Sequence, residues 1–197
     1  TARAIASHSQ IRVESFEAFL YGGVAKGSAL INWGGPWSIE GDVSTERVGM
    51  QELMATISRE AKATGQLESK FRYAMVASGL GKLFESPKVD GTFTLRKGDL
   101  DGVDLVRALQ GGGRGVVQGG ATRFEEISGS FSLANDRFQY RGLKLASGLL
   151  SASGGFEVTP ARDVTGRIFV ELRTQAAQIR GNYDLDGSLK AIVLRPR

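Results

Sequence analysis

The sequence predicts a mainly β protein: a curved antiparallel sheet, shaped as a β-groove or half-barrel, with two or three short helices. Three observations point there. Apolar and polar residues alternate with period two along most of the chain. One short alternating phrase occurs three times. Only brief stretches change to helical spacing.

Taken in chain order, Ile11 and Val13 open the alternation, and Asn32-Trp-Gly-Gly-Pro-Trp37 reads as a glycine-rich hairpin pinned by two indoles, with a membrane-interface or ligand-entry feature as the alternative. Met50, Leu53, Met54, Ile57 and Ala61 share one stripe, which predicts a helix over about 47–62, capped by Ser44 or Thr45 with Glu46 at its positive end. Leu67 to Met75, through Phe71 and Tyr73, reads as a strand, and a single helical turn is expected near Gly79 to Phe84.

The repeated phrase follows: Val89-Asp-Gly-Thr-Phe-Thr-Leu95, then Ile127-Ser-Gly-Ser-Phe-Ser-Leu133, then Ile179-Arg-Gly-Asn-Tyr-Asp-Leu185. Each places apolar residues and one glycine on one face, with Ser, Thr, Asp, Asn or Arg on the other, as in a half-buried strand with one wet side. Between the first two copies, Val103, Val106 and Leu109 predict a short helix at about 102–110, with Asp101 as its cap and Asp104 in its first turn, ended by Gly111 to Gly113. Leu145 to Leu149, Phe156-Val158, Ile168 to Leu172 and Leu189 to Leu194 complete the strands. Turns are expected at Lys97-Gly98-Asp99, Asn135-Asp136, Thr159-Pro160 and Asp186-Gly187. Gly91, Gly129 and Gly181 occupy core-facing positions, where a glycine marks a bend or the close approach of something else.

Composition excludes several function classes. The 197 residues contain no cysteine and one histidine, His8, so thiol nucleophiles, thiolate metal sites and multi-histidine centres are ruled out. The net charge of +4 is spread evenly, and the longest basic run is Arg96-Lys97, so no nucleic-acid surface is expected. Gly111-Gly-Gly-Arg-Gly115 lacks phosphate-loop spacing and reads as a connector. Asp99, Asp101 and Asp104 lack the glutamate a calcium loop needs, since Gln110 stands there. No Gly-x-Ser-x-Gly elbow exists. No enzyme activity and no cofactor are expected.

From Ser69 to Leu109 the chain resembles the C-terminal domain of the AsmA-like family of bacterial envelope proteins. The matching parts are Val89 to Leu95, the Lys97-Gly98-Asp99 turn and Leu100-Asp-Gly-Val-Asp-Leu105. A second match runs through Phe124-Glu-Glu-Ile-Ser-Gly-Ser-Phe-Ser-Leu-Ala-Asn-Asp136, where the family usually has glycine in place of Asp136. It resumes at Leu143-Lys-Leu-Ala-Ser147 and Ser151 to Phe156. The resemblance implies one domain over 1–197, a fragment of a longer periplasmic protein anchored in the bacterial inner membrane by an N-terminal helix outside this sequence. It also implies a role in outer-membrane assembly and, as in larger relatives, in carrying phospholipid along a β-groove between membranes.

On this reading Val89, Phe93, Leu95, Ile127, Phe131, Leu133, Tyr183 and Leu185 would line the groove, and the helix bearing Met50, Leu53, Met54 and Ile57 would cover one end or side of it. The partner would be phospholipid, each shielded methylene contributing about 0.8 kcal/mol. The alternative is a structural module whose exposed edge strand pairs with another envelope protein.

Overall fold

The computed structural model describes residues 1–57, 63–110 and 115–197. Thirteen strands lie in a single antiparallel sheet that is not closed into a barrel. They are β1 (Ala2–Ala6), β2 (Gln10–Leu20), β3 (Gly23–Asn32), β4 (Trp37–Gly49), β5 (Gln66–Ala77), β6 (Lys88–Asp101), β7 (Val117–Gln118), β8 (Ala121–Ala134), β9 (Arg137–Ser147), β10 (Leu150–Val158), β11 (Val164–Arg173), β12 (Gln178–Ser188) and β13 (Ala191–Pro196). Two helices, α1 (Met50–Ile57) and α2 (Leu105–Gln110), and a 3₁₀ turn at Leu80–Lys82 complete the described residues.

Neighbours in the sheet follow chain order except for β7, which leaves its place between β6 and β8 and pairs with β13 at the far edge, Val117 opposite Leu194 and Gln118 opposite Val193. That pairing requires curvature. Five inter-strand steps separate β8 from β13, about 24 Å in a flat sheet. The three residues from Gln118 to Ala121, the first residue of β8, span no more than about 11 Å. The C-terminal half of the sheet therefore curls back on itself.

The curl encloses α2. Leu105, Ala108 and Leu109 are buried against Phe124, Leu145, Leu150, Val170 and Tyr183, and the Tyr183 hydroxyl donates to the Ala108 carbonyl at 2.8 Å. The base of this excursion is pinned by Thr122. Its Oγ1 accepts from the Leu105 amide at 3.1 Å and its hydroxyl donates to the Val103 carbonyl at 2.7 Å. Gly102 and Gly120 close it with a 2.7 Å backbone bond. Every member of the buried apolar cluster lies at Leu95 or beyond, so β1 to β5 contribute none.

Most period-two strands form where alternation predicts them, but Leu145 to Leu149 is interrupted by the Gly148-Leu149 turn between β9 and β10, and the Leu189 to Leu194 strand begins only at Ala191. The first two copies of the repeated phrase pair directly, Val89 opposite Leu133 and Leu95 opposite Ile127. The Asn135-Asp136 turn has both φ values positive, +52° and +57°, the conformation a two-residue hairpin demands.

Several local expectations are corrected. Helix α1 starts at Met50, not 47. Ser44, Thr45 and Glu46 are not its cap but residues of β4, which passes through a bulge at Glu46 and Arg47, Arg47 with φ +53°, and resumes pairing at Val48 opposite Leu67. Ala61 and the stretch Gly111 to Gly113 fall outside the described residues. Helix α2 begins at Leu105 and is capped by Asp104, whose Oδ1 accepts from the Arg107 amide at 2.9 Å, while Asp101 ends β6. Its buried face carries Leu105 and Ala108 with Leu109, and Val106 is exposed. Lys97-Gly98-Asp99 is no turn. Strand β6 continues through it, Gly98 opposite Phe124 and Asp99 opposite Arg123. Asp186-Gly187 likewise lies within β12, and the reversal falls at Leu189 and Lys190.

Candidate functional site

Residues opposite one another across a ladder share a face, so the registers trace the apolar face rung by rung. One rung runs Phe16, Gly27, Val43, Phe71, Gly91, Phe131, Tyr140, Phe156, Gly166, Leu185, Leu194 and Val117, from β2 to β7. A second runs Val48, Leu67, Leu95, Ile127, Leu145, Ala152, Val170 and Gly181. The opposite face carries charge. Arg72 meets Asp42 at 3.0 Å, Arg96 meets both Glu68 and Glu126 at 3.4 Å, and Arg167 meets Asp184 at 3.6 Å. These exposed pairs contribute little stability each, but they keep that side wet. The open hollows over β2 to β6, bordered by Lys26, Asp42, Lys70, Arg72 and Asp90, lie on this polar side.

All eight predicted lining residues share the apolar face, but it has two parts. Leu95, Tyr183 and Leu185 are buried in the core that α2 fills, so they line no accessible groove. Phe93 and Ile127 are half-buried and pack against that core. Val89, Phe131 and Leu133 stand outside it, half-exposed, and continue into Ile11, Val13, Phe16, Ile31, Ile39, Val43, Phe71, Tyr73 and Met75 on β2 to β5. Nothing in the chain covers this second part among the described residues.

Sequence reasoning missed the aromatic ladder that joins the two parts. Phe71 and Phe131 have ring centroids 6.2 Å apart although β6 separates their strands. Phe93 meets Phe131 at 6.3 Å and Tyr140 at 6.2 Å, and Tyr140 stacks on Phe156 at 4.6 Å and near Phe138 at 6.4 Å. Burial raises the Tyr140 hydroxyl above its ordinary pKa, and the same holds for Tyr183. The available signal was the aromatic residue two positions after each glycine of the repeated phrase.

The three glycines do mark close approach, and what approaches is the chain itself: a Cβ at Gly91 would lie 2.5 Å from the Lys70 carbonyl oxygen, one at Gly129 2.8 Å from Leu143 Cδ2, and one at Gly181 2.6 Å from the Tyr183 ring. Across Gly91 the Phe71 and Phe131 rings lean together, at Gly129 the Leu143 side chain takes the space, and at Gly181 the Tyr183 ring occupies it.

Polar groups on the apolar face satisfy one another. Thr45 and Ser69 share a 2.8 Å hydroxyl bond and the Tyr73 hydroxyl donates to the Ser28 carbonyl at 3.2 Å. Among the described residues no buried side-chain polar atom lacks a partner, and no group of three or more acidic or histidine residues has the geometry to hold a metal. The face thus offers hydrocarbon contact and no convergent polar chemistry.

Helix α1 stands beside β4 at the rim formed by the β2–β3 turn. Met50 packs against the core, Leu53 and Met54 are half-buried, and Thr56 shares a 2.9 Å hydroxyl bond with Tyr21; Ile57 is its last residue. At the opposite rim Trp33 and Trp37 stack with centroids 6.0 Å apart. No family model, no curated protein and no solved structure matches this chain.

Proposed function

We propose that the open apolar face of β2 to β6 and β8 holds the acyl chains of a phospholipid, in a non-enzymatic, periplasmic, AsmA-like envelope protein anchored in the inner membrane by a helix outside this sequence. The observation that carries the reading is the division of the face: α2 fills the C-terminal half, while the N-terminal half leaves a continuous set of Val, Ile, Phe and Met side chains half-exposed. A contiguous uncovered face of this extent marks an interaction surface. A two-chain lipid that loses about 0.8 kcal/mol for each methylene exposed to water has reason to occupy it. Val43, Phe71, Val89, Phe131 and Leu133 would shield the chains, leaving the head group in solvent. Native mass spectrometry of gently purified protein tests this. Lipid adducts are expected on the wild type and their loss in Val43→Asp, with an unchanged circular-dichroism spectrum; clean apo mass in both contradicts it.

A second reading rests on its own observation. All five residues of β1 are exposed and its outer edge is unpaired along its length, whereas at the other end of the sheet the two-residue β7 pairs with Val193 and Leu194 of β13. Such an edge accepts a strand from another protein. Ala4→Pro removes a backbone donor at the centre of that edge. Under this reading it abolishes partner capture from envelope extracts without changing lipid content.

A further inference from the structure

We infer that the rim carrying Trp33 and Trp37 immerses in the surface of an anionic phospholipid bilayer. Trp37 lies directly opposite Ala77 at the end of β5, and the β5–β6 connection begins at the next residue. Within that connection Leu83, the residue that ends the 3₁₀ turn, is buried, 1% exposed, while Leu80 and Phe84 on either side of it are 56% and 67% exposed; Val76, 66% exposed, adjoins them.

These apolar groups point in several directions about one rim of the sheet. Val76 emerges from the polar face of the sheet, Trp37 from the apolar face, and Leu80 and Phe84 from the loop itself. A folded protein partner needs one complementary surface, whereas a fluid apolar phase surrounds a projection on all sides. The polar companions suit the same occupant. Lys82 and Lys88 flank the exposed aliphatic groups, with the exposed Glu85 between them, and neither lysine has an ion-pair partner among the described residues; lysines at such positions reach up to head groups while indoles settle at the interface. The opposite rim also exposes Phe19, Tyr21, Val106, Val116, Leu149 and Ile179, but these are distributed at or beside the β2–β3, β6–β8, β9–β10 and β11–β12 connections, and Glu46, Glu52, Asp101 and Asp104 lie along it. The apolar face opens at the Trp rim through Ile31, Ile39 and Met75, so immersion there brings the hydrocarbon region to the mouth of the open face.

Both tryptophans of the chain lie on this rim, so intrinsic fluorescence reports on it alone. Vesicles of phosphatidylglycerol and phosphatidylethanolamine are expected to shift the emission to the blue, and phospholipid brominated near the head group to quench it. The double variant Leu80→Ser, Phe84→Ser alters two solvent-exposed side chains and is expected to weaken vesicle binding by about tenfold or more. It should leave the lipid adducts seen by native mass spectrometry in place, so failure of the acyl-chain reading and failure of this one are separable. Absence of a fluorescence response in the wild type overturns the inference, as does vesicle binding unaffected by the double variant. A loss of binding that tracks a change in oligomeric state by light scattering also overturns it, since the rim is then a contact between copies.

Discussion

Gly91 lies opposite Phe131, and on the adjoining rung Phe93 lies opposite Gly129. Two copies of a Val/Ile-x-Gly-x-Phe-x-Leu phrase running antiparallel impose this exchange: the glycine of each faces the phenylalanine of the other. With no side chain on these glycines, rings of the flanking strands reach across them, Phe71 to Phe131 across Gly91 and Phe93 to Tyr140 across β8. The aromatic ladder follows from the repeat and its pairing.

A side chain at Gly91 is therefore expected to be costly. A Cβ there comes within 2.5 Å of the Lys70 carbonyl oxygen and of the Phe71 Cβ. Gly91→Val should destabilise the fold by about 2 kcal/mol, the scale of overpacking in a filled site. Urea unfolding checks this as a lowered midpoint with an unchanged slope. An unchanged midpoint would mean that Phe71 and Phe131 move apart freely.

The plug formed by α2 makes a second prediction. Leu109 is buried beneath the curled sheet, so Leu109→Ala should cost about 2–4 kcal/mol. Tyr183→Phe removes only the bond to Ala108 and should cost about 1 kcal/mol. Amide exchange should speed up across 105–110 in both variants while β2 to β4 are unaffected, because the first half of the sheet has no member in that core.

Acid sensitivity centres on Glu171. Its carboxylate accepts from Arg180 at 2.8 Å and pairs with Arg173 at 2.9 Å. These hydrogen bonds, Arg180's first, hold its pKa below the ordinary carboxylate range against the opposing effect of desolvation. A depressed folded-state pKa means the contribution is complete above the unfolded value, about 4.3, and is lost as pH falls through the lower folded value. The unfolding midpoint should thus fall on acidification below about pH 4, and Glu171→Gln should flatten that fall.

Much of the sheet was legible because alternation survives wherever one face is apolar: Val89 to Leu95 and Ile127 to Leu133 declare their strands and their shared face. The boundaries were less so. Ser44 and Thr45 are ordinary helix-cap residues, yet the pairing of β4 with β5 holds them extended, and no local signal reports a partner strand that arrives some twenty residues later. Lys97-Gly98-Asp99 has turn chemistry, and Lys97 does take a positive φ of 53°, but pairing with β8 carries the strand through it. The plug was invisible for a related reason. Leu105, Ala108 and Leu109 reveal a short apolar stripe, whereas its burial against Tyr183 and Val170 depends on β7 reaching β13, a pairing of two residues. That is why Tyr183 and Leu185 looked like groove lining and lie in a filled core instead.

Photocrosslinking with a phospholipid that carries a diazirine on its acyl chain tests the central claim most directly, with adducts mapped by peptide mass spectrometry. The account predicts labels on β3 to β6 and β8, at or beside Val43, Phe71, Val89 and Phe131, and none at Val170, Tyr183 or Leu194. Labels confined to the charged face around Lys70 and Arg72, or no labels at all, would contradict it.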